Sequence, residues 1–228
     1  MKLLVLGDSH ARVFGIPFFK NKMPELDIEL CSVDGATISG LSNPNSKTNT
    51  INTFLEALEN STADKVLILL GEVDLGFVLW YRAQKYDEDI FKMMDLALDN
   101  YMSLLVRCEA KFGSENIICL SSPLPTIPDN DPEYGDVANA RKSIRASQLE
   151  RTKLTLTFND KLKKICEAKG FSSLNLDLLS LGENGLVSSK LLNKNKTDHH
   201  YNKFEYAKLL FLPLKEALSQ RNPNGVEP

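Results

Sequence analysis

The chain has 228 residues and a mass of 25.5 kDa, with 43% hydrophobic and 25% charged side chains, which excludes disordered, collagen-like and fibrous classes. One domain of this length buries roughly 70% of its unfolded surface, so a core requires neither metal nor disulfide. The net charge of −3 provides no broad attraction to nucleic acid or to an anionic membrane surface, and no partner of either kind is expected.

The chain opens with Met1-Lys2-Leu3-Leu4-Val5-Leu6-Gly7-Asp8-Ser9. Its apolar run is too short for a signal peptide and no small-residue cleavage site comes after it, so it reads as a buried strand. Four further apolar runs bounded by turn residues read the same way: Ile28–Val33, Val66–Leu70, Ile117–Leu120 and Leu174–Leu178. No stretch approaches the roughly 20 apolar residues that span a bilayer.

Helical patterns lie between these runs. Ile90, Met94, Leu98, Tyr101, Leu105 and Cys108 recur at steps of three and four, and Gly113 stands where that helix stops. Leu154, Phe158, Leu162 and Ile165 repeat the pattern, closed by Gly170. Phe204, Ala207, Phe211, Leu214 and Leu218 predict a last helix, kinked or broken near Pro213. Strands alternating with helices predict an α/β fold: a three-layer α/β/α arrangement around a five-stranded, mostly parallel, flavodoxin-like sheet. With no internal repeat or long polar linker, residues 1–220 are expected to form one domain, and residues 221–228 a frayed tail. Cys31, Cys108, Cys119 and Cys166 are widely spaced and form no CxxC pair, which points to buried free thiols and a cytoplasmic setting. Ser121–Ala140, with Pro123, Pro125, Pro128, Pro132 and four acidic residues, reads either as a functional loop or as a solvated excursion.

In an open parallel sheet, ligands bind beyond the carboxyl ends of the strands. Gly7-Asp8-Ser9-His10 comes after the first predicted strand, Asp34-Gly35-Ala36-Thr37 after the second and Gly71-Glu72-Val73-Asp74 after the third; Asp198-His199-His200 precedes the last helix. Acyl transfer to a hydroxyl needs a nucleophile, a base within hydrogen-bond reach, and donors aimed at the oxyanion. Ser9 can be the nucleophile, the backbone N–H groups of Ser9 and Gly35 part of the oxyanion site, and His200 or His199 the base. Each has a plainer alternative. Ser9 can cap a helix, Gly35 can serve a tight turn, Asp74 can cap the helix after the third strand, and His10 reads as structural. Asp198-His199-His200 also admits a metal reading, but Asp8 alone supplies an early acidic ligand, so no metal or other cofactor is expected. Arg82, Arg141, Arg145 and Arg151 can meet an anionic substrate or sit on solvated helix faces. Trp80 and Tyr81 can line a pocket or pack under a helix.

These blocks resemble, in order and spacing over nearly the whole chain, those of the SGNH, or GDSL-like, ester hydrolases. The resemblance implies Ser9 as nucleophile, the Gly35 N–H facing the oxyanion, and His200 as base, since Tyr201 to Ala207 match the residues after the family's histidine. Asp8, Gly71, Glu72, Asp74, Arg82 and His199 join the candidate oxyanion and substrate-binding residues. The chain departs from the family twice. The oxyanion asparagine falls on Val73, which has no side-chain donor, and the orienting aspartate, three residues before the histidine in the family, is Asp198, two before His200. In an extended segment residues two apart point the same way, so an Asp198–His200 pair is compatible with this spacing. The Gly-Glu-Val-Asp variant with Trp80-Tyr81-Arg82 is similar to SGNH-like proteins associated with surface-glycan synthesis, which implies acyl groups on sugars. The expected function is ester hydrolysis or O-acyl transfer on a small-molecule or glycan ester. The alternatives are a catalytically impaired binding protein on the same fold and, less well matched by the first loop, a flavodoxin-like carrier.

Overall fold

A computed structural model of the chain describes residues 1–43, 45–129 and 143–219. β1 (Lys2–Gly7) runs into a 3-10 turn over Ser9–Gly15, and then come α1 (Pro17–Lys22) and β2 (Asp27–Ser32). After α2 (Thr50–Asn60) and β3 (Lys65–Leu69), a π-helical turn over Asp74–Val78 continues directly into α3 (Leu79–Tyr86). The remaining elements are α4 (Ile90–Phe112), β4 (Ile117–Leu120), α5 (Gln148–Lys169), β5 (Ser172–Leu174), the short α6 (Asp177–Ser180) and α7 (Lys203–Ser219).

The five strands pair in parallel in the order β2-β1-β3-β4-β5. Both faces of the sheet are covered, which is why its inner strands are apolar at every position rather than at alternate ones. Leu4, Leu6, Val66 and Ile68 pack with Phe54 of α2, Tyr101 of α4 and Phe158 of α5. Leu3, Val5, Leu67 and Leu69 face the other way, against Phe19 of α1 and Leu210 and Leu214 of α7. The result is the three-layer α/β/α arrangement. The expected stops also hold: α4 ends on Gly113, at φ 76 and ψ 157, and α5 on Gly170, in the left-handed conformation that closes a helix. α5 opens with a capping box between Ser147 and Glu150. No helix among the described residues is long and apolar enough to cross a membrane.

Five expectations need correction. The last strand is Ser172–Leu174, not Leu174–Leu178. The chain leaves the sheet at Asn175, whose side chain accepts the Asp177 N–H at 2.8 Å, and turns into α6, with Leu178 90% exposed. Helix α7 runs unbroken through Pro213, because buried Leu210, Leu214 and Ala217 anchor it on both sides. Phe204, predicted on its inner face, is exposed, with its ring edge-on to Phe18 and the Lys208 ammonium 4.4 Å from its centroid. Cys31 is half-buried on edge strand β2, whereas the other three thiols are buried. Ser121–Ile127 is buried rather than solvated. Leu124 N–H donates to the Tyr201 hydroxyl at 2.7 Å, and Gln148 and Arg151 donate to the carbonyls of Pro125 and Ile127 at 2.8 Å each. The rest of that proline-rich stretch from residue 130, with Arg141, lies outside the described residues, as does the 221–228 tail.

Candidate active site

The strand order reverses direction at β1, so the crevice beyond the carboxyl ends of β1 and β3 is where an α/β sheet of this kind binds ligands. Ser9 lies there. Asp8 N–H donates to Leu69 O of β3 at 3.2 Å, and the Ser32 hydroxyl of β2 donates to Asp8 O at 2.9 Å, so both neighbouring strands hold the residue before the serine. The Asp8 carboxylate, fully buried, accepts His10 N–H at 2.8 Å and caps the 3-10 turn. Asp8, expected among the substrate-binding groups, caps the turn that carries Ser9.

At the far end of the chain, residues 198–202 return to the same crevice. His200 Nε2 lies 2.7 Å from Ser9 Oγ, and His200 Nδ1 lies 2.6 Å from Asp198 Oδ1. A carboxylate only accepts, so Nδ1 carries the proton and Nε2 is left to accept the serine hydroxyl. Asp198 also accepts the His200 backbone N–H at 3.1 Å, and its second oxygen accepts Asn193 Nδ2 at 2.8 Å. The two-residue spacing, one short of the family's, therefore still closes the pair. Of the two adjacent histidines, His200 meets Ser9. The His199 ring lies tilted by 34° against it, with centroids 4.2 Å apart, and the His199 carbonyl accepts the Thr126 hydroxyl.

Burial, and after it the neighbouring His10, lower the His200 imidazole below its ordinary value, and the Asp198 bond does not offset them. The His10 ring, buried, sits 4.7 Å from that of His200. Burial pushes the Asp198 carboxyl upward, but the His200 hydrogen bonds and the charge of the imidazoles bring it below the usual range. A neutral imidazole joined to an ionised carboxylate is the state that accepts a hydroxyl proton near neutral pH. Asp198, His199 and His200 also offer ligand atoms within 4.8 Å of one another, close enough for a metal ion. Such an ion would compete for the His200 nitrogens that already bond Ser9 and Asp198.

Gly35 has φ +67 and Gly71 has φ +127, both in the region that disfavours a side chain. A Cβ on Gly71 would also fall on the Ser122 hydroxyl, which donates to Leu70 O at 2.5 Å. Asp74, expected near the oxyanion or substrate, is fully buried, and its two oxygens accept Ile38 N–H at 2.6 Å and Ser39 N–H at 3.0 Å. It fastens the loop after Gly35 to the turn after β3. Burial raises its carboxyl to about 6, against those hydrogen bonds. Glu72 is buried, with a charge that acts on His200, and Val73 is half-buried at the start of the π-helical turn. Trp80 packs against the core and donates Nε1–H to Leu75 O at 2.9 Å, whereas Tyr81 is exposed. Arg151 is buried on Ile127 and Asp129; Arg82 and Arg145 are exposed. Asn193, Thr126 and Tyr201 are not among the residues expected from the sequence. Only Tyr201 carries a signal there, as the apolar residue after the histidine.

No family model matches the sequence, and no curated protein matches it. Solved structures do. The chain resembles a GDSL-like lipase from Bacteroides thetaiotaomicron at a TM-score of 0.61 and 15% identity, covering 95% of this chain and 87% of that one. It resembles an extracellular lipase from Streptomyces rimosus at a TM-score of 0.59 and 12% identity, covering 95% and 99%. A variant of an acetyl-xylooligosaccharide esterase from Geobacillus stearmophilus aligns at a TM-score of 0.57 and 15% identity, covering 96% and 94%. The likeness extends over nearly the full length of both partners in each comparison, and the chain therefore has the fold of the SGNH, or GDSL-like, hydrolases.

Proposed function

We propose that the protein is a serine ester hydrolase acting on O-acyl esters, with Ser9 as nucleophile, His200 as general base and Asp198 as its orienting carboxylate. The observation that carries this reading is the continuous hydrogen-bonded chain from Ser9 Oγ through His200 to Asp198. Ser9 Oγ attacks the acyl carbon while its proton passes to His200 Nε2. The imidazolium, stabilised by Asp198, returns that proton to the departing alcohol. Water then attacks the acyl-serine with His200 again as base, releasing the acid and restoring Ser9. The Ser9 and Gly35 N–H groups are the candidate oxyanion donors. Val73 adds none, and the Asp74 oxygens are engaged with Ile38 and Ser39. A missing oxyanion donor costs roughly 10²–10³ in turnover, which lowers the rate without removing the chemistry.

Val73 favours one competing reading, a binding protein on the same fold whose catalysis is impaired. A fluorophosphonate probe separates the two. Labelling of the wild-type protein at Ser9, lost in Ser9→Ala, supports the esterase. Folded protein that resists labelling supports the binding role. Turnover of short acyl esters then reports how much activity remains.

A further inference from the structure

The chain has three histidines, and all of them meet at the Ser9 crevice. The His10 ring lies 4.7 Å from that of His200 and 6.1 Å from that of His199, centroid to centroid. Each end of the cluster carries a carboxylate, with Asp8 Oδ1 3.3 Å from His10 Nδ1 and Asp198 Oδ1 2.6 Å from His200 Nδ1. The hydrogen-bonded chain from Ser9 uses only one of the three rings. Residues adjacent in an extended segment point apart, yet the His199 and His200 rings lie side by side.

That arrangement gathers ligand atoms. One each from Asp198, His199 and His200 lie within 4.8 Å of one another. Three ligands of a tetrahedral zinc ion stand roughly 3.4 Å apart, so side-chain shifts of roughly 1 Å seat the ion. The way in is open, since the His200 and Asp198 side chains are 20% and 33% exposed and His199 is half-buried. His10, by contrast, is buried and lies on the inner side of access. Negative charge from Asp198 and Glu72 acts on His200, and such a cleft concentrates cations.

The donor set selects the metal. Magnesium and calcium take oxygen ligands, and soft ions take thiolates, whereas two imidazole nitrogens with one carboxylate oxygen suit zinc. The ligands also have the outer partners that hold metal-bound side chains in place. Asn193 donates to the second Asp198 oxygen at 2.8 Å, and the Thr126 hydroxyl donates to the His199 carbonyl.

We propose that Asp198, His199 and His200 form a zinc site whose occupation turns off the Ser9 hydroxyl. A neutral imidazole has a single nitrogen lone pair to offer. Zinc on Nε2 takes the lone pair that receives the Ser9 proton. Zinc on Nδ1 displaces the proton there to Nε2, which then donates and no longer accepts. Either mode removes the base. Zinc is thus a reversible inhibitor and not a cofactor. The site stands on the three side chains alone, and its inhibitory effect rests on the esterase reading.

The test begins with protein freed of metal by EDTA and then dialysed. Isothermal titration with zinc chloride should show saturable binding to the wild type and to Ser9→Ala, with magnesium chloride giving none. His199→Ala should weaken zinc binding by about tenfold or more. Should that variant not fold by circular dichroism, His199→Gln takes its place. Hydrolysis of 4-nitrophenyl acetate by the wild type should fall as zinc saturates the site and return on adding EDTA. Each protein is compared with its own metal-free rate, and the zinc midpoint of inhibition should rise about tenfold or more in the His199 variant. Zinc binding of equal strength in the His199 variant, equal binding of magnesium, or faster hydrolysis with zinc overturns the proposal. Hydrolysis indifferent to zinc removes the switch and retains the esterase. Zinc binding that needs His199 in a protein that hydrolyses no ester retains the site and removes the esterase.

Discussion

Ser9 Oγ and His200 Nε2 lie 2.7 Å apart although 191 positions separate them in the chain. The first stands at the end of a central strand, the second in the segment before the last helix, and the reversal of strand order beside β1 provides the crevice in which they meet. With His200 as the proposed base, its protonation sets the pH dependence. Burial and His10 hold the His200 imidazole below its ordinary value, and the reaction needs the neutral ring. Ester turnover should therefore rise with pH through a midpoint below about 6.5 and be flat from neutrality upward. A pH–kcat/KM profile on a short acyl ester checks this, and a midpoint above 7 contradicts it. Asp198→Asn leaves the ring without its acceptor and should cost on the order of 10⁴ in kcat.

Asn193 donates to the Asp198 oxygen that faces away from His200. Asn193→Ala frees that oxygen and loosens the carboxylate. The expected loss in kcat is about tenfold, with a changed pH midpoint and an unchanged melting temperature. A loss of stability with an unaltered profile would assign Asn193 to folding alone.

Asp74 links stability to pH. Its folded carboxyl is raised from 3.8 to about 6, so the folded state holds the proton more tightly than the unfolded chain. The stability this contributes is fully present below about pH 4 and is lost as pH rises through about 6, a span worth at most about 3 kcal/mol. Asp74→Asn should remove that dependence, seen as a flatter plot of urea midpoint against pH. The amide presents an NH₂ toward one of the two loop N–H groups, so ester turnover should fall as well. Unchanged slopes would show that Asp74 does not titrate in this range.

Val73→Asn restores a side-chain donor at the position where the family's oxyanion asparagine falls. Turnover should rise, by up to about 10²-fold, with KM little changed. No gain in a folded variant would mean that this side chain does not reach the oxyanion.

Gly71→Ala places a Cβ on the Ser122 hydroxyl at a backbone φ of +127. The cost should be on the order of 2–3 kcal/mol in chemical denaturation. Adding Ser122→Ala relieves the contact but not the backbone, so only part should return. Full recovery would assign the whole cost to crowding.

Much of the fold is legible in the residues. Leu3 to Leu6 is apolar at every position, and only a strand covered on both faces has use for that. Helix α4 can be read from its three-and-four spacing, and its end from Gly113. The last strand escapes such a reading because Ser172 and Ser173 are polar, and their pairing with Ile118 and Cys119 at the sheet edge decides the register. Pro213 does not break α7, because burial on both sides outweighs one missing backbone donor.

The order of amino acids alone supplies the inventory: a hydroxyl, glycines, carboxylates and imidazoles placed beyond the strand ends, since period and turn residues mark where strands stop. Which of them meet is a matter of packing across the whole chain. His200 rather than His199 reaches Ser9, Asp198 bonds His200 at a spacing of two, and Asp74 holds the loop after Gly35. Hydrogen bonds act over about 3 Å, while the residues they join here are up to 191 positions apart, a distance that no local pattern encodes.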